Sequence, residues 1–351
     1  MPKLSVVVPF HNVAAYAPAT LGSLARNTEP DIEFLLVDDA STDGTQDIVD
    51  HWADRLPGAR VIRHGTNRGI AAARNSGIDA ARGDYLTFLD GDDWYAPGHL
   101  ARLLTAAQDL DCDFARTDHV QSTGITRVVR RAPAPLRNTV LDPRAGIGAP
   151  ERETMVDYPF VWAGIYHRRL FADGAQRFAT ELRTAEDRLW IWQLHLRARS
   201  YAALGLYGIF YRRGVTTSLT QIKDARQLDF FPAYDALLDQ LRADRDADAL
   251  LPKAVRTYCA MIAFHNEKAD DYEPATARRL RAESAAALGR MPQDVLDRTL
   301  TTIDDRRGAL LRRLRAKQPK QPAKQPTGHS AEQPAAGSAE QTTEQPDQKA
   351  A

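Results

Sequence analysis

Asp90, Asp92 and Asp93 place three carboxylates in four positions, directly after the apolar run Tyr85-Leu86-Thr87-Phe88-Leu89. Carboxylates that close repel one another and raise at least one pKa unless a cation sits among them. Their oxygens suit a hard divalent ion, Mg²⁺ or Mn²⁺, that keeps coordination positions open for substrate phosphates. Asp92 is the first candidate for direct metal contact, with Asp90 holding the metal, its water or a ribose. The competing account is an acidic surface turn that caps a helix starting near Pro97. A second acidic pair, Glu186-Asp187, follows Thr184, which reads as the N-cap of a helix running to about Arg197. A cap and the helix macrodipole account for that pair without catalysis.

The surrounding pattern decides between these accounts. Leu4–Val8 is a continuous apolar run ended by Pro9, as expected of a strand buried on both faces of a parallel sheet. A helix over Ala17–Ala25 follows, then a strand over Ile32–Val37 that ends on Asp38-Asp39. Ala40–Thr45 is dense in turn and cap residues and leads into a helix to about Arg55. A third strand over Ala59–His64, a helix from about Gly69 to Ala81 and the Tyr85–Leu89 strand complete a βαβ series. Ala71, Ala72 and Ala73 are small enough for that last helix to pack closely on a sheet. Ligands of such sheets sit beyond the carboxyl ends of the strands. Pro9, Asp38-Asp39 and Asp90–Asp92 all fall there, which favours a site over a surface turn.

Beyond Leu100 the pattern predicts a helix to about Ala107, a strand over Asp113–Thr117 and a polar edge strand over Thr126–Arg131. Residues 132–153, rich in Pro, Gly and Arg, read as a mobile loop. Val161–Tyr166 is apolar, Tyr201–Arg213 reads as a strand pair, and Leu228–Leu314 is helical throughout. His265 and Glu267 are too isolated for a metal site and suit surface or packing roles. Residues 317–351 contain no Ile, Leu, Val, Phe, Trp, Tyr or Met and are expected to be a disordered spacer.

Composition narrows the class. In 351 residues Lys+Arg and Asp+Glu balance at 46 each, so no global charge draws the chain to nucleic acid. Cys112 and Cys259 lie far apart and match no metal spacing, which fits a reducing compartment. One Lys precedes a strand-like run stopped by Pro9, unlike a secretory leader, and no apolar stretch approaches the roughly 20 residues of a spanning helix. A cytoplasmic protein is expected. Arg306–Lys317 holds six basic residues and no acidic one around Leu310, Leu311 and Leu314. It reads either as a peripheral contact with the inner face of an anionic membrane or as a solvated helix end.

Four blocks carry a resemblance: Val7-Val8-Pro9-Phe10-His11-Asn12, then Val37 through Thr45, then Asn67-Arg68-Gly69 through Ala73-Arg74-Asn75, then Phe88 through Asp93. In this order and spacing they resemble the family 2 glycosyltransferases over roughly residues 3–215. The resemblance implies an α/β GT-A fold, a Rossmann-like sandwich with a mostly parallel central sheet, followed here by a helical extension. The expected division is 1–220 for the GT-A domain (nucleotide-binding half 1–110, acceptor half 111–220), 221–316 for the helical region and 317–351 for the tail. The resemblance further implies an inverting, Mn²⁺- or Mg²⁺-dependent transfer from a nucleoside-diphosphate sugar, expected to be a UDP-sugar. The acceptor would be a glycan or lipid-linked hydroxyl in cell-envelope or glycoconjugate synthesis.

In that reading Asp187 is the catalytic base, with Glu186 as second choice. Pro9, Asp39, Arg68 and Asp90 line the nucleotide-sugar pocket. Arg212 through Ser218 resembles a basic loop that closes near the donor, although a solvated turn explains it equally well. The helical region offers a surface for self-association. Two alternatives stay open: a nucleotidyltransferase, which would want a glycine-rich phosphate loop where Pro9-Phe10-His11-Asn12 stands, and a non-catalytic sugar-binding scaffold. No G-x-G-x-x-G follows the first strand, and Gly146-Ile147-Gly148 lies in a Pro-rich loop without a strand before it.

Overall fold

The computed structural model describes residues 1–215 and 222–317. Its first half is the expected βαβ series: β1 (Leu4–Phe10), α1 (Ala17–Ala25), β2 (Ile32–Asp38), α2 (Thr45–Ala53), β3 (Ala59–Arg63), α3 (Ile70–Ala80) and β4 (Tyr85–Phe88). β1 and β2 are buried at every position, which explains their mostly apolar sequence, and the polar pair within them, Ser5 and Glu33, is joined by a hydrogen bond. They pair in parallel, Val7 beside Leu35, and β4 joins the other side of β1 with Phe88 beside Val7. α3 lies so close to the sheet that a Cβ on Gly77 would sit 2.2 Å from Val7 Cγ1. Only glycine fits there.

The chain then forms β5 (Trp94–Tyr95), α4 (His99–Leu110), β6 (Phe114–Thr117), β7 (His119–Thr123), β8 (Thr126–Arg130), β9 (Gly164–His167), α5 (Glu186–Arg197), β10 (Tyr201–Leu204) and β11 (Ile209–Arg212). The large sheet has the order β10-β6-β9-β4-β1-β2-β3, and β9 runs antiparallel to both neighbours. A smaller sheet has the order β5-β11-β7-β8. The expected strand pair over Tyr201–Arg213 is therefore corrected. β10 joins β6 in the large sheet while β11 joins β5 and β7 in the small one. Between them Gly208 passes so close to His99 that a Cβ would meet Nδ1 at 2.1 Å, and the chain changes sheets at that point.

Residues 132–153 carry no helix, but the expectation of a mobile loop is also corrected. Leu141 exchanges backbone hydrogen bonds with Tyr201, and Asn138 N–H donates to Ala203 O. Arg144 reaches Asp244, Asp246 and the Leu196 carbonyl, and Ile147 is buried. Proline and glycine preclude regular structure here, yet residues about a hundred positions away hold the segment.

Five helices follow: α6 (Phe230–Arg242), α7 (Ala247–Glu267), α8 (Pro274–Arg290), α9 (Gln293–Thr302) and α10 (Asp305–Arg315). They build a second apolar core that shares α5 with the first. Trp190 packs with Phe88, Tyr166 and Phe178, whereas Trp192 and Leu196 face Phe230, Tyr234 and Leu237. A helix enclosed by two cores needs no polar face, hence the sequence Leu-Trp-Ile-Trp-Gln-Leu. His265 is buried in this core, stacked 4.4 Å from Phe230, and has a packing role.

In α10, Leu311 and Leu314 are buried in the second core, Arg307 pairs with Glu267, and Arg315 pairs with Asp297. A peripheral contact through this segment would therefore rest on its exposed basic residues, Arg306, Arg312, Arg313 and Lys317, and not on those leucines. Among the described residues no helix is long and apolar enough to cross a membrane. The expected spacer beyond Lys317 lies outside the described residues.

Candidate active site

The site begins where β2 ends. Asp39 accepts the backbone N–H groups of Arg68 and Gly69 at 2.8 and 2.7 Å, and its Oδ1 lies 2.6 Å from His64 Nδ1. Asp39 thus caps the start of α3 and shapes the loop that carries Arg68. A carboxylate offers about four acceptor positions, so one remains for a ligand. Arg68 itself is exposed at this edge. Arg183, which the sequence reading passed over, lays its guanidinium against Gly69, where φ is +88° and a Cβ would collide with Nη1 at 2.8 Å. Asp38 is fully buried, with both carboxylate oxygens unpartnered among the described residues. Pro9 is buried within β1, and its carbonyl lies 2.8 Å from where a Cβ of Gly91 would be.

At the end of β4 the chain turns tightly, with Asp93 N–H donating to Asp90 O. Thr20 Oγ lies 2.9 Å from Gly91 O and 2.7 Å from Asp93 O, so its proton bridges both carbonyls and ties the turn to α1. The three aspartates then diverge in role. Asp93 is fully buried and accepts Arg212 N–H at 2.7 Å; burial and the neighbouring Asp92 and Asp90 push its carboxyl well above the usual range. Asp92 stays partly open to solvent, and burial, then the Asp90 charge, pushes it up to about 6. Asp90 accepts from Arg74 Nη2 at 2.8 Å.

Arg74 extends from α3 and is 4% exposed. Its other terminal nitrogen, Nη1, donates to Glu186 Oε1 at 2.8 Å. One buried guanidinium therefore joins the β4 turn to the first residue of α5, and Phe178 lies 5.3 Å beneath it, stacked on Trp190. The two carboxylates raise the Arg74 pKa against the opposing effect of burial. The sequence held a signal for this residue. An arginine in a helix whose other buried residues include Ala71, Ala72, Ala73 and Gly77 must meet a buried counter-charge.

α5 does not start as expected. Thr184 is not its N-cap: the Thr184 hydroxyl donates to Arg226 O, and Ala185 precedes the helix in the left-handed region at φ +60°. Asp229, at the start of α6, accepts the Arg183 and Thr184 N–H groups instead. The helical region thus sets how the acidic pair enters the site. Glu186 is buried and held by Arg74, and burial together with the Asp187 charge raises its carboxyl pKa. Asp187 is more open, and its pKa is also raised by burial, against the pull of the Arg188 and Arg74 charges. The structure thus brings Asp90, Asp92, Glu186 and Asp187 into one cluster around Arg74, and places Asp39 and Arg68 along the adjoining edge.

Among the described residues no three His, Cys, Asp or Glu side chains form a ready ligand set for a metal. Asp90 and Asp92 offer two carboxylates, which fits an ion that takes its remaining ligands from phosphate and water. Of the expected basic loop, Arg212 is fixed by Nε donating to Asp92 O at 2.8 Å and by stacking 4.5 Å from Trp94. Arg213 is exposed beside Tyr211, and Thr216–Ser218 lie outside the described residues.

Residues 5–167 match the family model described as Glycosyl transferase family 2. This segment, a little under half of the chain, is similar to that family. The uncharacterized glycosyltransferase EpsJ of Bacillus subtilis (strain 168) is 29% identical over 273 residues, 76% of this chain and 70% of that protein. A PGL/p-HBAD biosynthesis glycosyltransferase of Mycobacterium tuberculosis (strain ATCC 25177 / H37Ra) is 44% identical over 103 residues, 29% of this chain and 40% of that protein. The crystal structure of S. aureus TarS 1-349 in complex with UDP-GlcNAc superposes with a TM-score of 0.68 at 22% identity, covering 90% of this chain and 87% of that one. The fold is GT-A and the chain is a glycosyltransferase. This placement sets aside the nucleotidyltransferase and scaffold alternatives.

Proposed function

We propose that this family 2 enzyme is an inverting, divalent-metal-dependent transferase that moves a sugar from a nucleoside-diphosphate sugar, a UDP-sugar, to an acceptor hydroxyl. The observation that carries the reading is the Asp90–Arg74–Glu186 bridge, which holds the donor-side carboxylates and the start of α5 at a fixed separation. TarS, solved with UDP and with UDP-GlcNAc, shares the fold and supports the donor class. The PGL/p-HBAD biosynthesis relative supports a cell-envelope glycan or lipid-linked acceptor.

Bound at Asp90 and Asp92, Mn²⁺ or Mg²⁺ would neutralise the charge gathering on the departing diphosphate. Asp39 and Arg68 hold the nucleotide along the β2 edge. Asp187 accepts the proton of the acceptor hydroxyl as its oxygen attacks the anomeric carbon. The bond to the diphosphate oxygen breaks with its electron pair leaving on the diphosphate, so one displacement inverts the centre. Glu186, held by Arg74, positions the helix turn that presents Asp187.

Thermal-shift titration against a panel of nucleoside diphosphates, with and without Mn²⁺, tests this reading, because a ligand of the folded state raises its apparent stability. UDP should stabilise the protein only with metal, and Asp92→Ala should abolish the response. No stabilisation by any nucleotide would contradict the donor assignment.

A further inference from the structure

An open groove of about 500 Å³ runs between α1 and the β7–β8 hairpin, lined by Pro18, Gly22, Arg26, Trp94, Arg127 and Arg212 among others, and by no acidic residue. Arg26 and Arg127 are exposed and have no carboxylate partner among the described residues. Arg212 has no carboxylate partner for its guanidinium either; Nε donates to the Asp92 carbonyl.

The groove wall is built on stacked rings. Arg127 lies 5.3 Å from the Phe210 ring, Phe210 stacks on Trp94 at 5.2 Å and an angle of 6°, and Arg212 lies 4.5 Å from the other partner of that stack, Trp94, and 5.2 Å from Tyr16. Ring stacking fixes two guanidinium planes at little further entropic cost, as planar recognition of an oxyanion requires. Arg212 acts on Asp92 and Asp93 as well, so the charge left to concentrate anions against these low-dielectric walls is chiefly that of Arg26 and Arg127. Arg212 also links the groove to the β4 turn, so a ligand here lies beside the metal-binding carboxylates.

We propose that this groove binds the phosphate groups of an anionic acceptor, holding a phosphate-bearing glycan chain while its hydroxyl reaches the site. The inference rests on the transferase reading above and adds the chemical class of the acceptor. The balanced charge of the whole sequence conceals the feature, because the arginines converge from α1, β8 and β11.

The test compares one oligosaccharide with and without a single phosphomonoester, titrated calorimetrically into the full chain and into an Arg26→Gln/Arg127→Gln variant. The wild type should prefer the phosphorylated form by about tenfold, the size of one charge-assisted hydrogen bond, and the variant should lose that preference. Equal binding of the two sugars by the wild type, or an unchanged preference in the variant, would overturn the proposal. Phosphatidylglycerol vesicles separate the remaining source of phosphate: loss of vesicle binding in the variant with the sugar preference intact would assign the groove to lipid headgroups and overturn it as well. UDP titration with Mn²⁺ reads the donor site independently, so a failure of the donor assignment shows there and not in the sugar comparison.

Discussion

The β2 edge and the cluster around Arg74 use carboxylates in opposite ways. Asp39 is surrounded by donors, two backbone N–H groups and His64, and spends its charge on building a loop. Around Arg74 one guanidinium serves both Asp90 and Glu186, and Asp92, Asp93, Asp187 and Glu186 itself are left with raised pKa values. The first region is complete in itself. The second carries excess negative charge that a cation or a transferred proton would relieve. In the proposed reaction the nucleotide is held where charge is satisfied, and the chemistry runs where it is not.

The comparison can be broken most strongly at Arg74. Arg74→Met leaves two carboxylates without their counter-charge in a buried setting, a loss of about 3–5 kcal/mol by analogy with other broken buried pairs. Urea denaturation should show a lower midpoint with an unchanged slope. Asp39→Ala deprives the Arg68 and Gly69 N–H groups of their acceptor, at about 1–3 kcal/mol for buried unsatisfied donors. It should also weaken UDP binding, because Arg68 loses its fixed position; calorimetry reads both effects.

Acidification sharpens the contrast further. Asp92 binds its proton more tightly in the folded chain, at about 6 against the ordinary 3.8, so its protonation adds stability as pH falls through 6 and withdraws it as pH rises. Without metal, the melting temperature of wild type should therefore rise relative to Asp92→Asn as pH falls from neutrality through 6, and saturating Mn²⁺ at neutral pH should remove the need for that proton. Thr20→Val is the smallest perturbation. It removes the hydroxyl that bridges the Gly91 and Asp93 carbonyls, at about 1 kcal/mol, and should shift the melting temperature by a few degrees.

Most of the first half was legible in the sequence, because strands buried on both faces leave unbroken apolar runs and end on polar residues. The Asp90–Asp93 cluster was legible for the same reason, whereas Glu186-Asp187, at a helix start, was assigned through the resemblance. Arg74 was not assigned a role, since its partners stand 16 and 112 positions away. Long-range contacts also explain the other corrections. β10 and β11 are adjacent in sequence but belong to different sheets, residues 132–153 are held by Asp244 and Asp246, and Ala185 adopts a left-handed conformation that puts Thr184 beside Arg226. In α10 the burial of Leu311 and Leu314 depends on the fold of the whole helical region, whereas its exposed basic residues were legible from composition.

The central claim is that Asp187 takes the acceptor proton while Glu186 positions it. Single-turnover sugar transfer, measured with UDP affinity for Asp187→Asn and Glu186→Gln, tests it most directly. The account predicts that Asp187→Asn loses transfer by about 10²–10⁴-fold, the usual share of a general base, with UDP affinity retained, and that Glu186→Gln loses less. Transfer by Asp187→Asn at the wild-type rate would contradict it.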